Sequence, residues 1–120
     1  MVEKANVFVV DDDPSQQKTI RRLLESAGHH VAASAQSLSE ALAIVPQLRD
    51  LGVQVATLDG SLYGVRTAGQ LVLAAIKKQA PEVKTIGLSG NRFPTDTNIR
   101  VDIDLTKDFT DEIAETITRL

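Results

Sequence analysis

Val7-Phe8-Val9-Val10 is apolar at all four positions, so a strand built on it has no polar face to give to water. A strand of that kind is covered on both sides, as in a parallel sheet held between layers of helices. Further β-branched runs follow at Val31–Ser34, Val53–Leu58, Val83–Leu88 and Val101–Leu105, the fourth of the five again nearly continuous in apolar character. Amphipathic segments separate them. Ile20, Leu23, Leu24 and Ala27 fall at helical spacing, with Gly28 placed to end the helix. Ser37 and Glu40 make a capping-box pattern for a second helix, whose apolar set is Leu38, Ala41, Leu42, Val45 and Leu48. Ala68, Leu71, Val72, Ala75 and Ile76 imply a third helix that stops before Pro81. A last one runs from about Asp108 or Thr110 to Leu120, burying Phe109, Ile113, Ile117 and Leu120. Asn91–Arg100, with Pro94, Thr95, Asp96 and Asn98, has little helical periodicity, so a fourth helix there is short, irregular or absent. Strict alternation with short links predicts one α/β domain over residues 1–120, a doubly wound parallel sheet with right-handed crossovers.

Composition removes several alternatives. The chain has 120 residues and a formal charge of −3, with no Lys/Arg block of the kind a nucleic-acid-binding face needs. It has no cysteine, which excludes disulfides and thiolate-bound metals. The longest strictly apolar run, Leu71–Ile76, is far too short to span a membrane. Met1-Val2-Glu3-Lys4 carries an acid and no secretory apolar stretch, so a cytoplasmic protein is expected.

Sheets of this type carry their functional residues beyond the carboxyl ends of the strands. The first strand is followed there by Asp11-Asp12-Asp13, the third by Asp59, the fourth by Ser89 and the fifth by Lys107. A run of like charges leaving a buried strand is electrostatically costly and calls for a cation. Asp13 precedes Pro14 and a helical pattern, which makes it a helix cap. Asp11 and Asp12 suit Mg²⁺, a hard cation that takes one or two carboxylates, waters and phosphate oxygens. Asp59 could attack phosphorus to form an acyl phosphate. Ser89 supplies a hydroxyl and Lys107 a second cation for phosphoryl oxygens. Alone, Ser89 reads as a turn residue and Lys107 as a solvated surface lysine; placed together with three acidic groups, both read as site residues.

Val9-Val10-Asp11-Asp12, Leu58-Asp59, Leu88-Ser89-Gly90 and Leu105-Thr106-Lys107 together resemble the receiver domain of two-component response regulators, in order and over essentially the whole chain. The resemblance implies a flavodoxin-like fold with strand order 2-1-3-4-5. It implies that Asp59 is the phosphoacceptor of a Mg²⁺-dependent phosphorelay, loaded by a histidine kinase, a histidine phosphotransferase or a small phosphodonor. Asp12 would be the direct Mg²⁺ ligand, with Asp11 acting largely through water and with Asp59 and the backbone carbonyl of Ser61 completing the set. Ser89 and Lys107 would contact the phosphoryl group, while Ser61 and Asn91 occupy the positions that tune hydrolysis. Gln16, Gln17 and Ile20 fall where receivers dock their phosphodonor. Such a domain is not an enzyme beyond its own phosphotransfer and dephosphorylation. It would act stand-alone, by contact with another protein, with no nucleic acid and no membrane insertion.

The sequence also departs from the family. Tyr63 and Thr67 stand where Pro and Gly are usual, Asp104 where a switching aromatic is usual, and Asp108 where Pro follows the lysine. A non-proline cis bond costs about 3–4 kcal/mol, so a trans Lys107-Asp108 bond is expected. These losses, with a Ser89–Lys107 segment that is short for the family, motivate a second reading, a pseudo-receiver that serves as an interaction module without phosphorylation. A third, from another class, is a small phosphohydrolase resembling the haloacid dehalogenase superfamily, with Asp11 of Asp11-Asp12-Asp13 as nucleophile. His29 and His30 follow a helix-ending glycine and read as helix C-terminal partners. Arg66 and Arg92 read as solvated, and Tyr63 and Phe93 as loop anchors.

Overall fold

The computed structural model describes residues 4–59, 68–88, 101–105 and 112–119. Nine regular elements alternate along them: β1 (Asn6–Val10), α1 (Pro14–Ser26), β2 (His30–Ala35), α2 (Leu38–Ile44), β3 (Val55–Leu58), α3 (Ala68–Gln79), β4 (Lys84–Gly87), β5 (Ile103–Asp104) and α4 (Ile113–Arg119). The strands form one parallel sheet in the order β2-β1-β3-β4-β5, the expected topology. Asn91–Arg100, the segment of the expected irregular fourth helix, lies outside the described residues, as do Lys107 and Asp108.

Strand parity divides the core into two layers. Val7 and Val9 pack with Ile20 and Leu24 of α1 and Ile113 and Ile117 of α4. Phe8 and Val10 pack on the other side with Val45, Leu48, Val72, Leu73 and Ile76. All four β1 residues Val7–Val10 are buried, so the run without a polar face is the sheet's interior. β4 is less uniform than its sequence suggested, because Lys84 is exposed while Thr85, Ile86 and Gly87 are buried.

Local chemistry sets the element ends. The Asp13 carboxylate accepts the Ser15 N–H (2.9 Å), and Pro14 opens α1, as expected of a capped helix start. At the other end His29 N–H donates to Leu24 O and Gly28 N–H to Glu25 O, a Schellman turn with Gly28 at φ +90°. The same pair of bonds, Val53 N–H to Leu48 O and Gly52 N–H to Arg49 O, turns the chain into β3, with Gly52 at φ +69°. Ser37 caps α2 through the Glu40 N–H. The expected second helix does not stay α-helical to Leu48. It tightens into a 3₁₀ turn at Val45–Gln47, where Pro46 has no N–H to continue the ladder.

Side chains tie the amino-terminal edge of the sheet. Buried His29 accepts the Ala5 N–H at Nδ1 (3.0 Å), which leaves Nε2 as the protonated nitrogen, 3.4 Å from the Ala114 carbonyl and 3.4 Å from the Thr118 hydroxyl. His30 is exposed. Asn6 donates to Gly52 O and its N–H is accepted by the Gln54 side chain. At the far side Asp102 and Thr85 bond reciprocally: Thr85 N–H and Oγ1–H donate to one Asp102 oxygen (2.8 and 3.1 Å), and Asp102 N–H returns to Thr85. The ammonium of Lys77, on α3, lies 3.5 Å from the same oxygen.

Three outcomes follow from these contacts. A Cβ at Gly28 meets nothing within 4 Å, so Gly28→Ala tests backbone conformation alone. It should cost about 1–2 kcal/mol in urea unfolding, with Gly28→Asn costing less. Thr57 is buried, and its hydroxyl has no hydrogen-bond partner among the described residues. Thr57→Val should therefore raise unfolding stability by about 1 kcal/mol; a loss instead would show that the hydroxyl has a partner such as ordered water. Burial pushes the Asp102 carboxyl up, but the Thr85 N–H, the Lys77 charge and the Thr85 hydroxyl outweigh it and hold it below its ordinary value. Its stabilising contribution is then full above the unfolded-state value and lost as pH falls through the folded one. The stability gap between wild type and Asp102→Asn should stay level down to about pH 5 and close below about pH 4.

Candidate functional site

Two strand ends carry the acidic residues to one place. Asp11 leaves β1 with its N–H on Ala35 O (3.0 Å), and Asp59 leaves β3 with its N–H on Val10 O (2.9 Å). Both carboxylates therefore sit on extensions of the sheet ladder rather than on free loops. Asp11 is 1% exposed, Asp59 is 4% exposed and Asp12 is half-buried. Each of the three offers a carboxylate oxygen, and these oxygens all lie within 4.8 Å of one another. Like charges that close repel by about 3 kcal/mol per pair at an effective dielectric near 20. That exceeds what a surface ion pair commonly returns, so a compensating cation has clear leverage on this cluster.

The donor set fits such a cation. Among the described residues the donors are three carboxylates with no nitrogen or sulfur, a set that suits a hard divalent ion whose remaining positions waters can fill. The peptide at the strand exit holds Asp11 in place, since its Oδ1 accepts the Asp13 N–H at 2.9 Å. The triple aspartate thus divides as the sequence indicated: Asp11 and Asp12 turn into the cluster, and Asp13 caps α1.

The neighbouring strands reach the same edge. Leu88 N–H donates to Leu58 O (2.8 Å) and Leu105 N–H to Gly87 O (2.8 Å), which carries the chain to within one residue of Ser89 and two of Lys107. Ser61, Ser89, Asn91 and Lys107 themselves lie outside the described residues, as do Tyr63, Arg66, Arg92 and Phe93.

On α1 the structure sorts the three residues expected at a docking surface. Ile20 is 1% exposed and belongs to the core, so it presents nothing to a partner. Gln17 turns inward, and its amide donates to Asp11 O (2.7 Å) and to Ala35 O (2.8 Å). Gln16 is half-buried. The inward turn of Gln17 had a signal in the sequence: it lies three residues before Ile20 and seven before Leu24, on the apolar stripe of the helix. The two histidines lie at the opposite edge of the sheet, with His29 bonded to Ala5 and close to α4.

The family model of the response regulator receiver domain matches residues 7–112. No curated protein matches the sequence. Among solved structures, the RcsB response regulator of Salmonella typhimurium is 21% identical with a TM-score of 0.76, covering 98% of this chain and 59% of its own. The chain therefore spans less than two thirds of that protein. A CheY-like receiver domain protein from Methanospirillum hungatei JF-1 is 20% identical with a TM-score of 0.76, covering 99% of this chain and 93% of its own. The CheX–CheY complex of Borrelia burgdorferi, solved with BeF₃ and Mg²⁺, is 22% identical with a TM-score of 0.65 over 72% of this chain and 63% of its own. These identities speak for the fold, and the family match speaks for descent: the chain belongs to the response regulator receiver domain family.

Proposed function

We propose that residues 1–120 act as one receiver domain that takes a phosphoryl group onto Asp59 from a histidine kinase or a histidine phosphotransferase, in a cytoplasmic Mg²⁺-dependent phosphorelay. The supporting observation is the convergence of Asp11, Asp12 and Asp59, from two separate strands, to within 4.8 Å. Packing alone does not gather three acids at the mouth of a buried sheet.

Each residue has one task. An Asp59 oxygen attacks phosphorus, and the new O–P bond forms as the donor's N–P bond breaks, with the electron pair leaving on the donor imidazole. Asp11, Asp12, Asp59 and the Ser61 carbonyl would hold Mg²⁺, which when bound would supply positive charge to the phosphoryl group. Ser89 and Lys107 meet the other phosphoryl oxygens. Ser61 and Asn91 would tune how fast water hydrolyses the acyl phosphate. The buried setting of Asp59 slows that hydrolysis as well. The output is a protein–protein contact; neither nucleic acid nor membrane insertion is involved, and among the described residues no helix is long and apolar enough to cross a membrane.

The phosphohydrolase reading has less support. It needs Asp11 as nucleophile, and Asp11 is the most buried of the three acids, with one oxygen already accepting the Asp13 N–H. The pseudo-receiver reading draws on Tyr63, Thr67, Asp104 and Asp108, which bear on readout more than on the acceptor. Incubation with acetyl phosphate and Mg²⁺ separates the readings. Wild type should gain one phosphoryl group by intact mass, and Asp59→Asn should gain none. No gain in wild type, and no Mg²⁺-dependent spectral change, would leave the pseudo-receiver standing instead.

A further inference from the structure

We infer that Gln17 is a positioning residue for the acidic cluster: its side-chain amide clamps the ends of β1 and β2 together and thereby sets the Asp11–Asp12 peptide from which the metal-holding carboxylates project. This rests on the phosphoacceptor reading and adds a residue to it.

The geometry is specific. A primary amide has two N–H donors on one nitrogen, and both are used, on Asp11 O at 2.7 Å and Ala35 O at 2.8 Å. Ala35 O also accepts the Asp11 N–H (3.0 Å), so its two lone pairs are filled. The N–H and C=O of Asp11 are therefore both fastened, one to β2 directly and the other through Gln17. No peptide bond among the described residues is cis. In a trans peptide the N–H points opposite to the C=O, so fixing the Asp11 carbonyl against α1 turns the Asp12 N–H to the other side of the peptide plane. The rotation of that peptide decides where the Asp12 carboxylate falls relative to Asp59.

Chemistry explains why an amide fits this place. An apolar side chain of the same length would remove this donor from the Asp11 carbonyl in a part-buried setting. A carboxylate there would repel both carbonyls and add a fourth acid behind the cluster. Gln17 instead supplies an N–H to each of the two strand-end carbonyls from a single nitrogen. Groups one step behind metal ligands commonly change metal affinity by about 10- to 100-fold when removed.

The test compares Gln17→Met, which keeps length and helix propensity but has no donor, with Gln17→Arg, which restores two N–H groups. Mg²⁺ is titrated into each purified protein and followed by backbone amide shifts, and phosphoryl gain from acetyl phosphate is measured beside it. In Gln17→Met the Mg²⁺ concentration at half-saturation should rise about tenfold. At saturating Mg²⁺ the phosphorylation rate should return most of the way to wild type, and Gln17→Arg should bind Mg²⁺ within about threefold of wild type. Leu24→Ala, on the same helix and remote from the site, serves as the stability control: a merely structural role would move both variants' unfolding midpoints and leave Mg²⁺ binding in the folded protein unchanged. Unchanged binding in Gln17→Met overturns the positioning role and leaves the phosphoacceptor reading intact. A wild type that neither binds Mg²⁺ nor gains a phosphoryl group overturns both. If Gln17→Met does not fold, Gln17→Asn, one methylene too short to span the two carbonyls, takes its place with the same expected weakening.

Discussion

β1 is paired on both sides and buried on both faces, and the rest of the molecule is arranged around that fact. A strand with no polar face needs helices above and below. A parallel neighbour on each side needs a crossover on each face. The alternating parity of Val7 and Val9 against Phe8 and Val10 assigns α1 and α4 to one layer and α2 and α3 to the other. The same position makes the exit of β1 the place where polar residues from adjacent strands meet. Asp11 leaves β1, and Asp59 leaves β3, the central strand beside it.

The cluster is therefore held by backbone rather than by its own attractions. Three acids within 4.8 Å of one another oppose folding. They stay together because the ladder bonds of Asp11 to Ala35 and of Asp59 to Val10 belong to the sheet, whose stability comes from the two apolar layers. Stability and site are thus separable here. The core sets where the carboxylates are, and a cation would relieve what their proximity costs. In the proposed role, a carboxylate on a rigid ladder would be oriented before any donor arrives, which is the larger part of what a phosphoryl acceptor requires.

Periodicity made most of this legible in advance. The five strands, the order of elements and the caps at Asp13, Ser37 and Gly28 follow from spacing and turn chemistry that act within a few residues. Asp11, Asp12 and Asp59 could be brought together on paper because a parallel sheet puts all its carboxyl ends on one edge. What the sequence concealed depends on contacts between distant residues. The apolar spacing to Leu48 survives the change to a 3₁₀ turn at Pro46, so periodicity alone does not register the change. Gln17 and Ile20 were assigned to a docking surface by position in the family. Their place on the apolar stripe of α1 outweighs that assignment, and only the strand-end carbonyls reveal what an amide on that stripe is for.

The two edges of the sheet treat polar groups in opposite ways, and the contrast bears on how the domain works. At the amino-terminal edge His29 accepts the Ala5 N–H, Asn6 and Gln54 pair across β1 and β3, and Asp102 and Thr85 answer each other across β4 and β5. Every one of those contacts joins unlike partners and closes locally. At the carboxyl-terminal edge like charges are gathered instead. A binding event at that edge changes the electrostatics of one rim while the other rim stays fastened. Among the described residues β5 is the shortest strand, two residues long and anchored at its start by Asp102 on Thr85 and Lys77. That anchor fixes the beginning of β5 to β4 and α3 through a single carboxylate oxygen shared by a backbone N–H, a hydroxyl and an ammonium.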